Sequence, residues 1–273
     1  MSGTRSALSL GMRTLPSLAV VAALTTLAAC SPSQAAPKNV LVPGNLGEAD
    51  YLTAVGGYVY WARFDLGVSE TWSIERVAEA GGAVEVLAKD VAPPNGLAVD
   101  GTNAYWTATD GTLRALPVSG AATGAAPTVI ASNLPGPSSL IVVGGAAYVE
   151  EVTAPGEVLL QRIPLDGSAP TTVASGLMTN LTSDGTAAYF VEDGAGGATC
   201  PGLGLTTTVL RYQAGDTAPT TLLSCQLVTS IAANGANLYA VVGESASTAD
   251  RLVSVPVSGG ARSRSPRRIP SVT

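Results

Sequence analysis

The 273-residue chain has no histidine, three cysteines and only 12% charged residues. Without an imidazole, histidine-based acid–base catalysis and nucleophile activation are excluded. Without histidine or a CxxC pair, a zinc site lacks its customary ligands. Stretches rich in Glu, Lys and Leu at helical period are absent. Basic charge is scarce in the body. Arg5 and Arg13 lie near the start and Arg262, Arg264, Arg267 and Arg268 in the last dozen residues, which leaves eight basic against 20 acidic side chains between them, a balance of −12. Such a body repels phosphate backbones, so nucleic acid is excluded as a partner.

Other residues are abundant. Hydrophobic residues make up 46% of the chain, with 31 glycines and 18 prolines. This reads as many short strands joined by turns, with enough apolar surface to bury a core and too much for disorder. The length suits one large domain or two small ones.

Residues 1–29 read as a targeting segment. Arg5 and Arg13 make a positive start, and "LPSLAVVAALTTLAA" (15–29) is an apolar run too short for a comfortable transmembrane span. It ends in "LAAC" at 27–30, which resembles the lipobox of bacterial lipoproteins. The resemblance implies cleavage before Cys30, which becomes the diacylated first residue and the membrane anchor; each buried acyl methylene contributes about 0.8 kcal/mol. Ser31, where an aspartate would retain the protein, implies the outer membrane. The plainer alternative is an ordinary signal peptide with a chance cysteine. Residues 30–38 then form a short tether, "SPSQAAPK" after the cysteine. Export places Cys200 and Cys225 in an oxidising compartment, where a disulfide between them is expected to contribute roughly 3 kcal/mol.

The rest of the chain repeats. "GGYVYW" (56–61), "DGTNAYW" (100–106), "GGAAYV" (144–149), "DGTAAYF" (184–190) and "NGANLYA" (234–240) each set a tight turn before an aromatic. The tyrosines Tyr60, Tyr105, Tyr148, Tyr189 and Tyr239 are spaced by 45, 43, 41 and 50 residues, a period that fits propeller blades. The third unit is the clearest. "SSLIVVGG" (138–145), "AAYVEEV" (146–152), "EVLLQRIPLDG" (157–167) and "SAPTTVASGL" (168–177) read as four antiparallel strands joined by Gly-Gly and Asp-Gly corners. Fourth strands recur at 85–91, 127–134 and 219–227, and third strands at 73–82, 112–120, 209–216 and 251–260. Pro117, Pro164 and Pro256 fall at one repeat position near a strand end, which suits a residue that cannot donate to a ladder. The expected fold is therefore all-β, a propeller of about five four-stranded blades over 39–260, or a truncated six- or seven-bladed one.

Several side chains admit two readings. Tyr60–Trp61, Tyr105–Trp106 and Tyr189–Phe190 could line an aromatic groove, but filling space between blades is the stronger reading. Asp100–Gly101, Asp184–Gly185 and Asn234–Gly235 sit where hairpin corners need turn formers, so the aspartates are expected to be structural rather than acids or metal ligands. Arg76, Arg162 and Arg211 share one repeat position and are expected to cross-link neighbouring strands; a shared surface meeting an acidic ligand is the alternative. Glu150–Glu151 and Glu192–Asp193, just after the second-strand aromatic, are weak candidates for a calcium site, with exposed strand-end carboxylates as the plain expectation.

"NVLVPGNL" (39–46) matches the fourth strand and is expected to close the ring by pairing with the last blade. The segment after it departs from the repeat: residues 261–268 read "ARSRSPRR" where "APTTVASG" is expected. One reading of 261–273 is a basic tail for lipid headgroups or polyanions. The other is a shifted frame, since loss of one cytosine from a GC-rich run encoding "APVTLA" yields "ARSRSP".

Units such as "VDGTNAYWTATDGTLRALPVSG" followed by "PTVIASNLPGP" resemble the repeat lipoproteins that myxobacteria encode in many copies, and are loosely similar to TolB-like and NHL-like propellers. The resemblance covers about 39–260 and implies a fold without fixing a function. The leading expectation is a monomeric, cofactor-free envelope lipoprotein, not an enzyme, presenting loops to protein or polysaccharide ligands. The alternatives are a calcium-dependent hydrolase or lyase and a non-functional truncated paralogue.

Overall fold

The computed structural model describes residues 41–42, 46–67, 71–119, 126–193, 207–243 and 250–259. Cys30, the leader and tether, Cys200 and the tail from 260 onward lie outside the described residues. The unit Met1–Asn39 is therefore not described, and everything below concerns the unit Val40–Thr273.

The described residues are all strand and turn, with no helix among them. The first sheet is β1 (Glu48–Val55), β2 (Tyr58–Phe64), β3 (Trp72–Ala78) and β4 (Glu85–Val91), antiparallel in chain order. The second is β5 (Pro94–Val99), β6 (Asn103–Ala108), β7 (Thr112–Pro117) and β8 (Thr128–Ala131). Then follow β9 (Pro137–Val143), β10 (Ala146–Ala154), β11 (Glu157–Pro164), β12 (Thr171–Ser183), β13 (Ala188–Asp193), β14 (Thr207–Tyr212), β15 (Thr220–Ala233), β16 (Asn237–Gly243) and β17 (Arg251–Pro256). These nine form one continuous ladder.

The continuity differs from the separate strands read in the sequence. β12 pairs with β11 through Thr171–Gly176 and with β13 through Leu177–Ser183. β15 likewise pairs with β14 up to Gln226 and with β16 from Leu227. A left-handed or near-left-handed residue redirects the chain at one repeat position: Asp90 (φ 51°), Asn133 (φ 60°), Gly176 (φ 143°) and Cys225 (φ 58°). After Asp90 and Asn133 come Pro93–Pro94 and Pro135–Gly136–Pro137, which remove ladder donors and interrupt the strand. After Gly176 and Cys225 no proline follows, so the strand runs on.

Side chains on a strand alternate between faces, and the second strands are buried on both. On β6, Ala104, Trp106 and Ala108 pack with Tyr60, Ala62 and Ile74 of the first sheet. Tyr105 turns the other way, onto Ala147, Val149 and Ile163 of β10 and β11. Tyr148 packs with Ala188, Phe190 and Leu210, and Tyr189 with Leu238, Ala240 and Val242. Tyr60, Tyr105, Tyr148 and Tyr189 thus face the following repeat, while Trp106 and Phe190, one residue on, face the preceding one. Trp61 is also buried.

The first strands lie side by side in series, β1 by β5, β5 by β9, β9 by β12 and β12 by β15. The series does not return to β1 among the described residues. Of the segment 39–46, expected to close the ring, only Leu41, Val42 and Leu46 are among the described residues, and Leu41 and Val42 form a bend. A side chain placed at Gly81, in the β3–β4 turn, would lie 3.5 Å from the Leu41 carbonyl. The Leu46 carbonyl accepts from Arg63 Nε at 2.8 Å. The described part of the segment therefore follows the first sheet, and Pro43 within it could not donate to a ladder.

Candidate functional site

The hairpin corners bind their own tyrosines. Asp184 Oδ1 accepts from the Thr186 and Ala187 amides at 2.8 and 2.9 Å, and Oδ2 accepts from the Tyr189 hydroxyl at 2.6 Å. Asp100 repeats this with Thr102, Asn103 and Tyr105 at 2.8, 2.8 and 2.9 Å. Asn234 caps Ala236 and Asn237 and donates Nδ2 to Tyr239 at 3.3 Å. Partial burial pushes the Asp184 carboxyl up, but the bonds from Tyr189, Thr186 and Ala187 outweigh it and hold it at about 2. Burial and the bond to Asp184 push Tyr189 up to about 12. Gly101 and Gly185 follow the two aspartates with φ 88° and 87°, a turn conformation that glycine adopts without strain.

In the first sheet and in the repeat β9–β12, Val55 and Val143 stand where the corner acid would be. There the tyrosine meets an arginine from the third strand: Tyr60 is opposite Arg76 and Tyr148 opposite Arg162. Arg211 lies opposite Tyr189 in the same way. Arg76 donates Nε and NH2 to Glu85 Oε2 on β4 at 2.9 and 2.7 Å, and its guanidinium lies 4.2 Å from the Tyr58 ring centroid.

A second group of polar residues gathers at the opposite ends of the second strands. Glu150 and Glu151, expected at the surface, are 7% and 3% exposed, because β10 is an inner strand covered on both faces. Burial pushes the Glu150 carboxyl up, and a bond from Ser139 partly offsets this. Its Oε1 is buried without a partner. Burial also raises Glu151, Glu192 and Asp193. Glu192 and Asp193 are half-buried on β13, opposite Thr208 and Thr207. No group of three or more acidic or cysteine side chains comes together as a metal-ligand set among the described residues.

Nearby, Thr107 Oγ1 donates to the Ser138 carbonyl at 2.7 Å and Asn95 Nδ2 to the Pro137 carbonyl at 2.8 Å. These bonds join the second sheet to β9. A side chain at Gly96 would meet the Ser138 carbonyl at 2.8 Å, so only glycine permits this approach. In the first sheet Glu75 is 2% exposed and accepts from Arg63 NH1 at 3.3 Å and Ser73 Oγ at 3.0 Å. Cys225 is engaged rather than a free thiol.

Sequence reasoning missed Tyr58, Glu75 and Glu85. Tyr58 had a signal: two residues before the repeat tyrosine, the other units carry Asn103, Ala146, Ala187 and Asn237. Together with Val55, Tyr60, Arg76, Val118 and Ser119 it lines a cleft of about 280 Å³ between the first two sheets, with Gly56 and Gly101 at its edge.

No known family model fits the chain and no curated protein resembles it. Solved structures do. The chain is similar to a puromycin-hydrolyzing peptidase of Mycobacterium tuberculosis, at 15% identity and TM-score 0.55, over 80% of this chain and 39% of that one. It is also similar to the β-propeller domain of the Trilobed protease from Pyrococcus furiosus, which has an open velcro topology, at 7% identity and TM-score 0.56, over 77% and 69% of the two chains. The chain thus spans well under half of the peptidase's length. At these identities the likeness speaks for architecture alone, and the repeated antiparallel sheets are those of the β-propeller class.

Proposed function

We propose that this chain is a cell-envelope lipoprotein of the myxobacterial repeat type, whose propeller of about five blades binds protein or glycan ligands without catalysing a reaction. One observation carries the reading: the polar side chains that recur from sheet to sheet serve the scaffold. Asp100, Asp184 and Asn234 cap corners and hold tyrosines, and Arg76 ties β3 to β4. A fold that commits its repeated polar groups to its own framework leaves variable loops and inter-sheet clefts to recognise partners. Cys30 would be the acylated anchor in the outer membrane, and Cys200 and Cys225 would form a disulfide.

The test joins two measurements. Expressed in a bacterial host with a clickable palmitate analogue, the wild type is expected to take up label in the membrane fraction and Cys30→Ser to lose it. The purified protein, spread on a glycan array and a panel of envelope proteins, is expected to retain a defined subset. Label persisting in Cys30→Ser would remove the anchor from the proposal, and absence of any retained ligand would remove the binding role.

Glu150 favours a second reading, a calcium-assisted hydrolase or lyase, because its buried Oε1 has no partner. Thermal unfolding in millimolar calcium and in EDTA separates the two: a shift of several degrees favours the metal, and superimposed curves favour plain binding.

A further inference from the structure

We infer that the cleft between the first two sheets holds one neutral hexopyranose ring of a glycan. This rests on the glycan-binding reading above and narrows it to one place and one ligand chemistry. The cleft volume of about 280 Å³ lies at the small end of ligand sites, where a single sugar ring fits and a folded peptide does not. Its edge is made by turn glycines: Gly56 and Gly101 have φ 63° and 88°. A side chain at Gly56 would have no atom within 4 Å, so the mouth beside it is open.

Tyr58 sets this cleft apart from its counterparts in the other units. Where they have small or amide side chains, it places a half-buried phenol at the margin of the core. Its ring centroid is 6.3 Å from that of Tyr60, tilted by 50°, with the Arg76 guanidinium 4.2 Å away. Tyr60 is only 2% exposed, so the aromatic surface for the CH face of a pyranose is that of the half-buried Tyr58 ring, with the Arg76 guanidinium and the Ser119 hydroxyl, exposed at the opening, for its rim.

Charge selects within this class. Arg76 is neutralised by Glu85, 2.7 Å away, and Glu85 is itself 43% exposed. A phosphate or uronate would meet a cation already paired and a carboxylate nearby, whereas an uncharged polyol pays neither repulsion nor the loss of the ion pair.

The full-length protein is titrated with methyl glucoside, methyl galactoside and methyl mannoside, and with glucuronate as the charged control, by calorimetry and ligand-observed NMR. At least one neutral glycoside is expected to bind in the millimolar range, as single rings do, with glucuronate weaker. Ser119→Trp, an exposed site whose new ring fills the mouth, is expected to weaken binding about tenfold with the thermal midpoint unchanged, and Tyr58→Ala to weaken it at least as much. Sugar binding that neither variant alters overturns the cleft while leaving the glycan reading intact. Tighter binding of glucuronate overturns the neutral ligand, and no binding of any monosaccharide overturns the inference even if protein ligands are found.

Discussion

Replacing Asp184 by alanine removes the carboxylate that shapes the second of the three acid- or amide-capped corners. Two amides at 2.8 and 2.9 Å, the Thr186 hydroxyl at 2.7 Å and the Tyr189 hydroxyl at 2.6 Å all lose their oxygen. The carboxyl sits at about 2 rather than 3.8. At 1.36 kcal/mol per unit that preference is worth ~2.5 kcal/mol unscreened, and ~1 kcal/mol once the partly solvated turn is allowed for. Tyr189 is fully buried, and its hydroxyl without an acceptor adds ~1–2 kcal/mol. The expected total for Asp184→Ala is ~2–3 kcal/mol at neutral pH. Asp184→Asn is expected to cost only ~1 kcal/mol, because an amide can keep the turn contacts and hold the tyrosine by donating to its hydroxyl, as Asn234 does to Tyr239. Urea unfolding followed by tryptophan fluorescence from pH 7 to 2 reads both. The folded carboxyl titrates below its free value, so its stabilisation is complete above about pH 4 and is lost as pH falls through about 2. The gap between wild type and Asp184→Asn should close over that interval, while the hydroxyl share persists in Asp184→Ala. An alanine variant within ~0.5 kcal/mol of wild type, or a gap indifferent to pH, would refute the corner's role.

Glu150→Gln is expected to stabilise the protein by ~1–2 kcal/mol at pH 8, since it removes a buried charge. Burial raises the folded Glu150 carboxyl, so wild-type stability is fully present below the free-chain value and falls as pH rises through the folded value; calorimetric scans from pH 4 to 8 that run parallel for both proteins would contradict this. Trp106→Ala should lose ~3–5 kcal/mol in urea titrations, because the ring is fully enclosed between two sheets. Gly96→Ala should lose ~1–3 kcal/mol for its 2.8 Å clash with the Ser138 carbonyl, and an unchanged melting point would show that β5 and β9 can part without cost. Cys200→Ser, Cys225→Ser and the double variant should each cost roughly the same ~3 kcal/mol; additive losses would argue against their pairing.

Much of the strand layout was legible because each corner is written in residues that tolerate positive φ. "EVLAKDV" is β4 from end to end, and Pro117, Pro164 and Pro256 each end a third strand. The bond from Tyr189 to Asp184 was not legible: it joins residues five apart, and only the hairpin register brings them together. The fusion of outer and inner strands at Gly176 and Cys225 was hidden for another reason. The left-handed residue at that position resembles a strand break, and what distinguishes continuation from interruption is the proline that follows it or not. Glu150 and Glu151 misled most. Paired acids at a strand end look solvated, yet their burial depends on two neighbouring sheets that local pattern does not reveal. Leu41 lies by Gly81 of the first sheet, a neighbour that the likeness of its segment to the fourth-strand pattern does not indicate.

Crossing strands have a mechanical consequence. From β9 to β17 the backbone bonds pass from one sheet to the next without a gap, whereas β4 to β5 and β8 to β9 are bridged by proline-containing links and side chains alone. An amide near Leu177 or Leu227 is thus fastened into two layers at once. It should be released to deuterium only when both layers loosen together, so the C-terminal portion will fray as a block while the two N-terminal sheets can detach singly.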